Sequence, residues 1–278
     1  EMRPSLSVVM PALNEEPNLE AAVATVQRAV AGLVSDYEVI IVDDGSTDGT
    51  GPVAEALAHR DAHIRVVHHT VNQGLGASFR DGVALARMEY VMLVPGDNEI
   101  PERTVRAIGE RLGGTDIVVP YMLNPQVRPW LRRLLSSAFT WGMNLLFRLD
   151  LRYYNGPCAF RSALVKGAPI TTTGFAYMAT TLVRLLKRGA TAEQVGVWLA
   201  PRGGGRSTAL RPRNWFLVLQ AVASLWAEVY LRRPASPAES PKSHGLREST
   251  PPTAPGPRPP PAGGRSRSAV GRSPGPRR

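Results

Sequence analysis

The stretch Tyr90-Val91-Met92-Leu93-Val94-Pro95-Gly96-Asp97-Asn98-Glu99-Ile100-Pro101 limits what this chain can fold into more than any other. A short apolar run without alternation reads as a strand buried on both faces, so the sheet that holds it must be covered on both sides. The run breaks at Pro95-Gly96, where the chain must turn, and Asp97 and Glu99 follow at the strand's carboxyl end. Open α/β sheets place their ligands there. Two carboxylates spaced i, i+2 suit a divalent cation that keeps several waters and takes phosphate oxygens. The plain alternative is a polar turn with solvated acids.

The rest of the amino-terminal half supplies the layers. Leu6–Met10 reads as a first strand, ended by Pro11, and Asn14-Glu15-Glu16-Pro17 opens a helix with acids near its positive end. Leu19, Val23, Val26, Val30 and Leu33 recur on one helical face. Tyr37–Val42 is a second strand, followed by Asp43-Asp44-Gly45-Ser46-Thr47-Asp48-Gly49-Thr50; Ser46, Asp48 and Thr50 are candidate caps for a helix around Val53–Ala58. A third strand, Ile64–His68, leads through Asn72-Gln73-Gly74-Leu75-Gly76 to a helix ending near Met88. A helix over Arg103–Leu112 and a fifth strand over Asp116–Val119 complete the pattern. Alternation with short links predicts a single, largely parallel sheet with right-handed crossovers.

Charge divides the chain. Residues 1–116 hold 9 Lys/Arg against 18 Asp/Glu, residues 117–233 hold 16 against 3, and residues 234–278 hold 8 against 2. The last segment is Pro, Gly, Ser and Arg with few large apolar residues; it cannot offset its ordering entropy and is expected to be a disordered tail. Its arginines suit phosphates, but nothing in it reads a specific nucleic acid. Cys158 is the single cysteine, which excludes an internal disulfide and a CxxC metal pair. The Leu6–Met10 run is too short for a signal peptide, so a cytoplasmic setting is expected.

Asp43 and Asp44 end a strand expected beside the one that delivers Asp97. A nucleotide suits that arrangement, with one acid accepting from a base or ribose and a metal bridging a diphosphate. Neither GxGxxG nor GxxxxGK[ST] is present, which disfavours a dinucleotide fold and a P-loop.

Three stretches in order, Ser7-Val8-Val9-Met10-Pro11-Ala12-Leu13-Asn14-Glu15-Glu16, Val39-Ile40-Ile41-Val42-Asp43-Asp44-Gly45-Ser46-Thr47-Asp48 and Asn72-Gln73-Gly74-Leu75-Gly76-Ala77, resemble the family 2 glycosyltransferases with the GT-A fold. The likeness is strongest to the dolichol- or polyprenyl-phosphate sugar transferases and runs to about Leu231. It implies a GT-A-like domain over residues 1–233, with a nucleotide-sugar half at 1–120 and an acceptor half at 121–233. The implied reaction moves a sugar from a nucleotide diphosphate, with inversion, using Mg²⁺ or Mn²⁺. By position, Pro11, Leu13 and Glu15 would line the base and Asp44 the base or ribose, with Asp43, Gly74 and Gly96 also on the nucleotide sugar. Asp97 and Glu99 would hold the metal, and Asp97, Arg161 and Arg202 would act in catalysis. Arg202-Gly203-Gly204-Gly205-Arg206-Ser207 resembles a basic loop that closes over diphosphate, which assigns Arg202 and Arg206 to the donor. The chain departs from the family pattern in places. Pro95 replaces the first acid of the metal-binding DxD, Pro120-Tyr121-Met122 lacks an arginine, and Thr208 replaces a lysine.

The basic half has two amphipathic stretches. Trp130–Leu149 keeps Arg133, Ser136, Ser137, Thr140, Asn144 and Arg148 on one stripe, and Trp215–Leu231 repeats the design with Gln220, Ser224 and Glu228. The second reaches about 26 Å at ~1.5 Å per residue, short of a ~30 Å hydrocarbon core. Apolar faces flanked by arginine suit the interface of an anionic membrane, reached from its cytoplasmic side; mutual packing or a homodimer is the alternative. From Leu151 through Ala192 there is no Asp, Glu or His, although hydroxyl-using relatives carry an acidic pair in this span. A hydroxyl acceptor needs a general base, whereas a phosphate monoester needs only cations. Arg128, Arg132, Arg133, Arg152, Arg161 and Arg202 are available. The expectation is therefore hexosyl transfer to a polyprenyl phosphate. The rivals are a soluble transferase for a small hydroxylated acceptor and a non-catalytic nucleotide-sugar-binding relative.

Overall fold

The computed structural model describes residues 3–199 except Thr173 and Phe175, residues 212–231, and the pair Arg247–Glu248. Arg202, Arg206 and nearly all of the expected disordered tail lie outside the described residues.

The sheet begins as expected. Strands β1 (Leu6–Ala12), β2 (Tyr37–Asp43), β3 (Ile64–His68) and β4 (Tyr90–Leu93) alternate with helices α1 (Leu19–Val30), α2 (Thr50–Arg60) and α3 (Leu75–Leu85). Then come α4 (Glu102–Gly109), β5 (Ile117–Met122), a 3-10 turn at Pro125–Val127 and α5 (Trp130–Phe147). The chain continues through β6 (Ala159–Arg161), α6 (Ser162–Lys166), α7 (Tyr177–Lys187), β7 (Ala192–Val197) and α8 (Pro212–Tyr230). The spatial order is β3-β2-β1-β4-β6-β5-β7, with the two-residue strand β8 (Arg247–Glu248) beside β7. Every neighbouring pair is parallel except the two that involve β6.

Side-chain alternation assigns the layers. Leu6, Val8, Met10 and Ala12 of β1 pack with Val39 and Ile41 of β2 beneath α1, α2 and α4. Val9, Ile40, Val42, Val91 and Leu93 face the opposite layer, built from α3, α5, α6, α7 and α8. The helical stripe read from the sequence is the buried face of α1: Leu19, Val23, Val26 and Val30 are each at most 2% exposed. Burying each such side chain contributes about 1.5–3 kcal/mol against leaving it in water.

Three strands differ in their bounds from expectation, β2 by the single residue Asp43 at its end. Pro11 does not end β1, which continues to Ala12 in register with Val42 and Asp43. The carbonyls of Val9 and Pro11 both point to the β4 side, where they accept from the amides of Val94 and Gly96. The missing Pro11 N–H faces that same side, beyond the last β1–β4 pair at Val9 and Leu93, so no ladder bond is lost. Met122 rather than Val119 ends β5, and six pairs with β7 carry it through Pro120.

The two amphipathic stretches are α5 and α8. They meet where Phe147 stacks on Tyr230 with ring centroids 6.4 Å apart. Only Met143 and Phe147 of α5 are buried, whereas Trp130 is 72%, Trp141 69% and Leu145 64% exposed. Among the described residues no helix is long and apolar enough to cross a membrane.

Candidate active site

The carboxyl ends of β2, β1 and β4 lie side by side, because Ala12 is paired with Asp43 and Val9 with Leu93. The loops that leave these ends are laced together. Asn14, in the left-handed region at φ 56°, donates its amide to Ser46 Oγ at 3.0 Å and accepts from the Thr47 amide at 2.9 Å. The Glu15 amide donates to Thr50 Oγ1 at 2.8 Å, and the Gly49 amide to Glu16 Oε2 at 2.9 Å. Of the three candidate caps of α2, Asp48 holds the Thr50 amide at 3.0 Å, while Ser46 and Thr50 turn to the β1–α1 loop. The hydrogen bond from the Thr50 hydroxyl leads the effects that hold the Asp48 carboxyl below its ordinary value.

Asp43 and Asp44 are both buried. Burial pushes the Asp43 carboxyl up, but hydrogen bonds from Ser46 and His68 outweigh it and hold the group below its ordinary value. His68 sits between Glu55 and Asp43, 2.9 Å from each, and its pKa is raised by both, Glu55 first. Asp44 reaches across to the next loop, accepting from the amides of Gln73 and Gly74 at 2.9 Å each, and it lies 2.7 Å from His69 Nδ1. The close approach of these loops requires glycine at 45: with φ at 76°, a Cβ there would lie 2.6 Å from the Val71 carbonyl carbon.

Asp97 stands in the turn after β4, and its Oδ1 accepts the Glu99 amide at 3.0 Å, so both acids belong to one local loop. Gly96 seats that loop on β1: its amide donates to the Pro11 carbonyl at 2.9 Å, and a Cβ would meet Ala12 and Leu19 at 3.2 Å. Among the described residues no three His, Cys, Asp or Glu side chains are grouped to hold a metal ion. Two carboxylates in one loop fit a cation whose remaining positions go to water and phosphate, not an all-protein cage.

The same end of the sheet carries a cavity of about 840 Å³ between β5 and α5, and two of its three lining arginines lie over tyrosine rings. Arg128 donates to the Tyr153 hydroxyl at 2.8 Å and lies over the ring, and Arg152 lies 4.6 Å over the ring of Tyr121. Arg133, Trp130, Trp141 and Asn144 come from α5, and among the described residues the lining contains no Asp, Glu or His. The end of β5 lacks an arginine of its own in Pro120-Tyr121-Met122, and Arg152 brings a guanidinium there from another segment.

The sequence-predicted residues therefore divide. Leu13, Glu15, Asp43, Asp44, Gly74, Gly96, Asp97 and Glu99 gather at the ends of β3, β2, β1 and β4, with Leu13 exposed and Pro11 buried inside β1. Arg161 does not join them. β6 runs antiparallel and pairs Arg161 with Tyr90, at the amino end of β4, whereas Asp97 follows its carboxyl end. The Arg161 guanidinium is held there by Glu89 at 2.8 Å, Asp116 at 3.3 Å and the Tyr90 hydroxyl at 3.0 Å. The assignment of Arg161 to catalysis is thus corrected to an ion-pair cluster at the far end of the sheet. Arg202 and Arg206 lie outside the described residues. His68, His69, Tyr121 and Tyr153 were not singled out from the sequence; the tandem His68-His69, repeating the tandem Asp43-Asp44 one strand over, was the available signal.

A three-layer sheet of this order, with acidic loops at the carboxyl strand ends, defines a GT-A-like fold. Residues 7–165, more than half of the chain, match the model of the family described as glycosyl transferase family 2, and the chain belongs to that family. It is 34% identical over 140 residues to polyprenol monophosphomannose synthase of Mycolicibacterium smegmatis, covering 47% of this chain and 51% of that protein. It is 27% identical over 187 residues to dolichol-phosphate mannosyltransferase of Pyrococcus furiosus, covering 64% and 52%. The chain thus spans about half the length of these two relatives. Glucosyl-3-phosphoglycerate synthase of Mycobacterium tuberculosis shares the fold: its complex with uridine diphosphate (UDP) superposes with a TM-score of 0.61 at 22% identity, covering 83% of this chain and 82% of that one. The complex of the same synthase with Mn²⁺, UDP and glucosyl-3-phosphoglycerate gives 0.58 at 22% identity, with the same coverage.

Proposed function

We propose that this chain is an inverting glycosyltransferase that moves a hexosyl group from a nucleotide-diphosphate sugar to a polyprenyl phosphate. The observation that carries this reading is the cavity beside β5, lined among the described residues by Arg128, Arg133 and Arg152 and by no carboxylate or histidine. Three guanidiniums suit an anionic headgroup, and the indoles of Trp130 and Trp141 suit the first isoprene units. A phosphate oxygen attacks the anomeric carbon, the bond from that carbon to the nucleotide diphosphate breaks, and the leaving diphosphate takes the electron pair. No proton has to be removed from the acceptor, so no base is needed in the cavity.

On the donor side, Leu13 and Glu15 line the base and the Asp43-Asp44 corner takes base or ribose. Asp97 and Glu99 hold Mg²⁺ or Mn²⁺, which when bound neutralises charge on the diphosphate. Arg202 and Arg206 are assigned to that diphosphate by their likeness to the family's basic loop. The complexes of the structural neighbour with UDP and Mn²⁺, and the two lipid-phosphate relatives, support the donor and acceptor classes respectively. The exposed apolar faces of α5 and α8, with Arg132, Arg133, Arg232 and Arg233 in the same segments, suit peripheral contact with an anionic membrane at its cytoplasmic face.

A donor panel scored by nucleoside diphosphate release, with and without polyprenyl phosphate, tests the proposal. Release that depends on the lipid phosphate is expected. One observation favours a second reading: the structural neighbour's product is a glucosylated phosphoglycerate, and three arginines suit a small phosphorylated acceptor too. Transfer to the hydroxyl of a small water-soluble phosphorylated acceptor, with none to polyprenyl phosphate, would establish that reading instead.

A further inference from the structure

His69 has no part in the reaction as described, yet it is buried at the carboxyl end of β3 with a carboxylate on each side of its ring. Nδ1 lies 2.7 Å from Asp44 Oδ1 and Nε2 lies 3.2 Å from Asp81 Oδ2. Asp81 is fixed in turn from the surface of α3 by Arg80, at 2.8 and 3.1 Å, and this contact leads the effects that hold its carboxyl below the ordinary value. A chain of contacts therefore runs from the exposed face of α3, through an imidazole, to a buried aspartate in the nucleotide corner.

We infer that His69 is a positioning residue for nucleotide binding, holding the Asp44 carboxylate in the orientation from which it grips the amides of Gln73 and Gly74. The inference rests on the proposed reading of this corner as a nucleotide site. Its physical basis is burial: the Asp44 and His69 side chains are each 6% exposed. A buried carboxylate without partners carries a heavy desolvation penalty, so its orientation is dictated by the donors around it. Two of those donors are the backbone amides of the β3–α3 loop and the third is His69. Removing the imidazole lets the carboxylate swing, and the loop swings with it, because Gly45 packs directly against Val71 and Asn72 and the two loops depend on that close contact. His68 differs, although it holds Asp43 in a similar way. It is half-exposed, and Asp43's backbone donor is Ser46 within its own loop, so no second loop depends on it.

The test is direct binding of UDP and of guanosine diphosphate, each with Mn²⁺, by calorimetry. His69→Ala is expected to weaken whichever nucleotide binds by about tenfold or more, the scale of one hydrogen bond to a charged group. The amide nitrogen of asparagine falls where histidine Nδ1 stands, and that of glutamine falls nearer Nε2. His69→Asn is therefore expected to regain affinity to within a few fold of the wild type, and His69→Gln is not. Hydrogen exchange at the Gln73 and Gly74 amides should speed up in His69→Ala and slow again in His69→Asn. Affinity unchanged in His69→Ala, with only a lowered Tm, would overturn the inference and leave His69 a packing residue. Should His69→Ala not fold, equal affinities of the Asn and Gln variants would overturn it. If the wild type binds neither nucleotide, the nucleotide reading of the corner falls first and the role of His69 falls with it.

Discussion

The donor and acceptor sides of this molecule are held by different forces. Around the ends of β1 and β2, side chains bond to the backbone of the neighbouring loop: Asn14 to residue 47, Ser46 to residue 14, Glu16 to Gly49, and Asp44 to residues 73 and 74. Around β5 and α5, the prominent contacts are guanidiniums on tyrosine rings, and large apolar side chains stand in solvent. The difference teaches that the corner proposed for the nucleotide is fixed by its own side chain to backbone bonds, whereas the side proposed for the acceptor presents cations and exposed indoles. Preorganised dipoles suit a site that must stabilise developing charge; cations and indoles suit a phosphorylated apolar molecule at an interface.

The largest expected effect breaks the donor side alone. Asp97→Ala should lower turnover by about a hundredfold or more while Tm moves little, because a loop acid adds little to the core and the cation's charge stabilisation amounts to several kcal/mol. Steady-state kinetics with and without Mn²⁺, beside a melting curve, checks it. Chelator-resistant activity at the wild-type level would remove the metal from the mechanism. Next, Arg152→Ala should raise the acceptor KM by about tenfold and leave nucleotide affinity alone, since a charge-assisted contact to phosphate is worth about 1.5–3 kcal/mol. A matching change in donor affinity would mean that the two sides are not separate.

The surface of the acceptor side is tested by Trp141→Glu combined with Leu219→Glu. Both residues are well exposed, so folding should survive, while flotation with anionic liposomes should be lost and nucleotide binding kept. For the wild type, added salt should weaken the same flotation, as screening acts on exposed charges. A smaller effect concerns Arg161, whose contacts lie at the far end of the sheet. Arg161→Ala should lower Tm by about 2–4 °C, with turnover within about twofold of the wild type.

The smallest effect is a pH dependence of the His68–Asp43 pair. His68 is raised above its ordinary value of 6.5, so its stabilisation is full below that value and is lost as pH rises through the folded pKa. Asp43 is lowered from 3.8, so its contribution is present above 3.8 and is lost as pH falls through the folded pKa. The two overlap between about pH 4 and somewhat above 6.5, and Tm of the wild type minus that of His68→Ala should be greatest there. A difference that grows steadily toward alkaline pH would contradict the assignment.

Much of the donor side was legible in the sequence because its signals are local. Apolar runs ending in turns at Asp43-Asp44 and at Pro95-Gly96-Asp97 place acids at strand ends whatever the sheet order. What was not legible depends on partners far along the chain. Pro11 looks like a strand end until the carbonyls of Val9 and Pro11 reveal which side its missing N–H faces. The three residues of β6 carry no mark of direction, and that direction alone moved Arg161 from the site to the opposite end. Tyr121 and Arg152 are 31 positions apart, and no spacing rule pairs them before β5 and the segment after α5 are folded together.

The backward run of β6 bears on how the chain is made. β4 is complete at Leu93, but among the described residues its outer edge pairs only with Ala159–Arg161, which leave a ribosome 66–68 residues later. At roughly 5–20 residues per second this is an interval of about 3–14 s. Through that interval an apolar strand, flanked by an already assembled β3-β2-β1 block, offers open N–H and C=O groups to any extended segment that passes. β5 emerges earlier and cannot fill the gap, because its place is on the other side of β6. Crowded synthesis is therefore most hazardous for this chain between residues 93 and 161, and fragments ending in that window should aggregate where the longer chain does not.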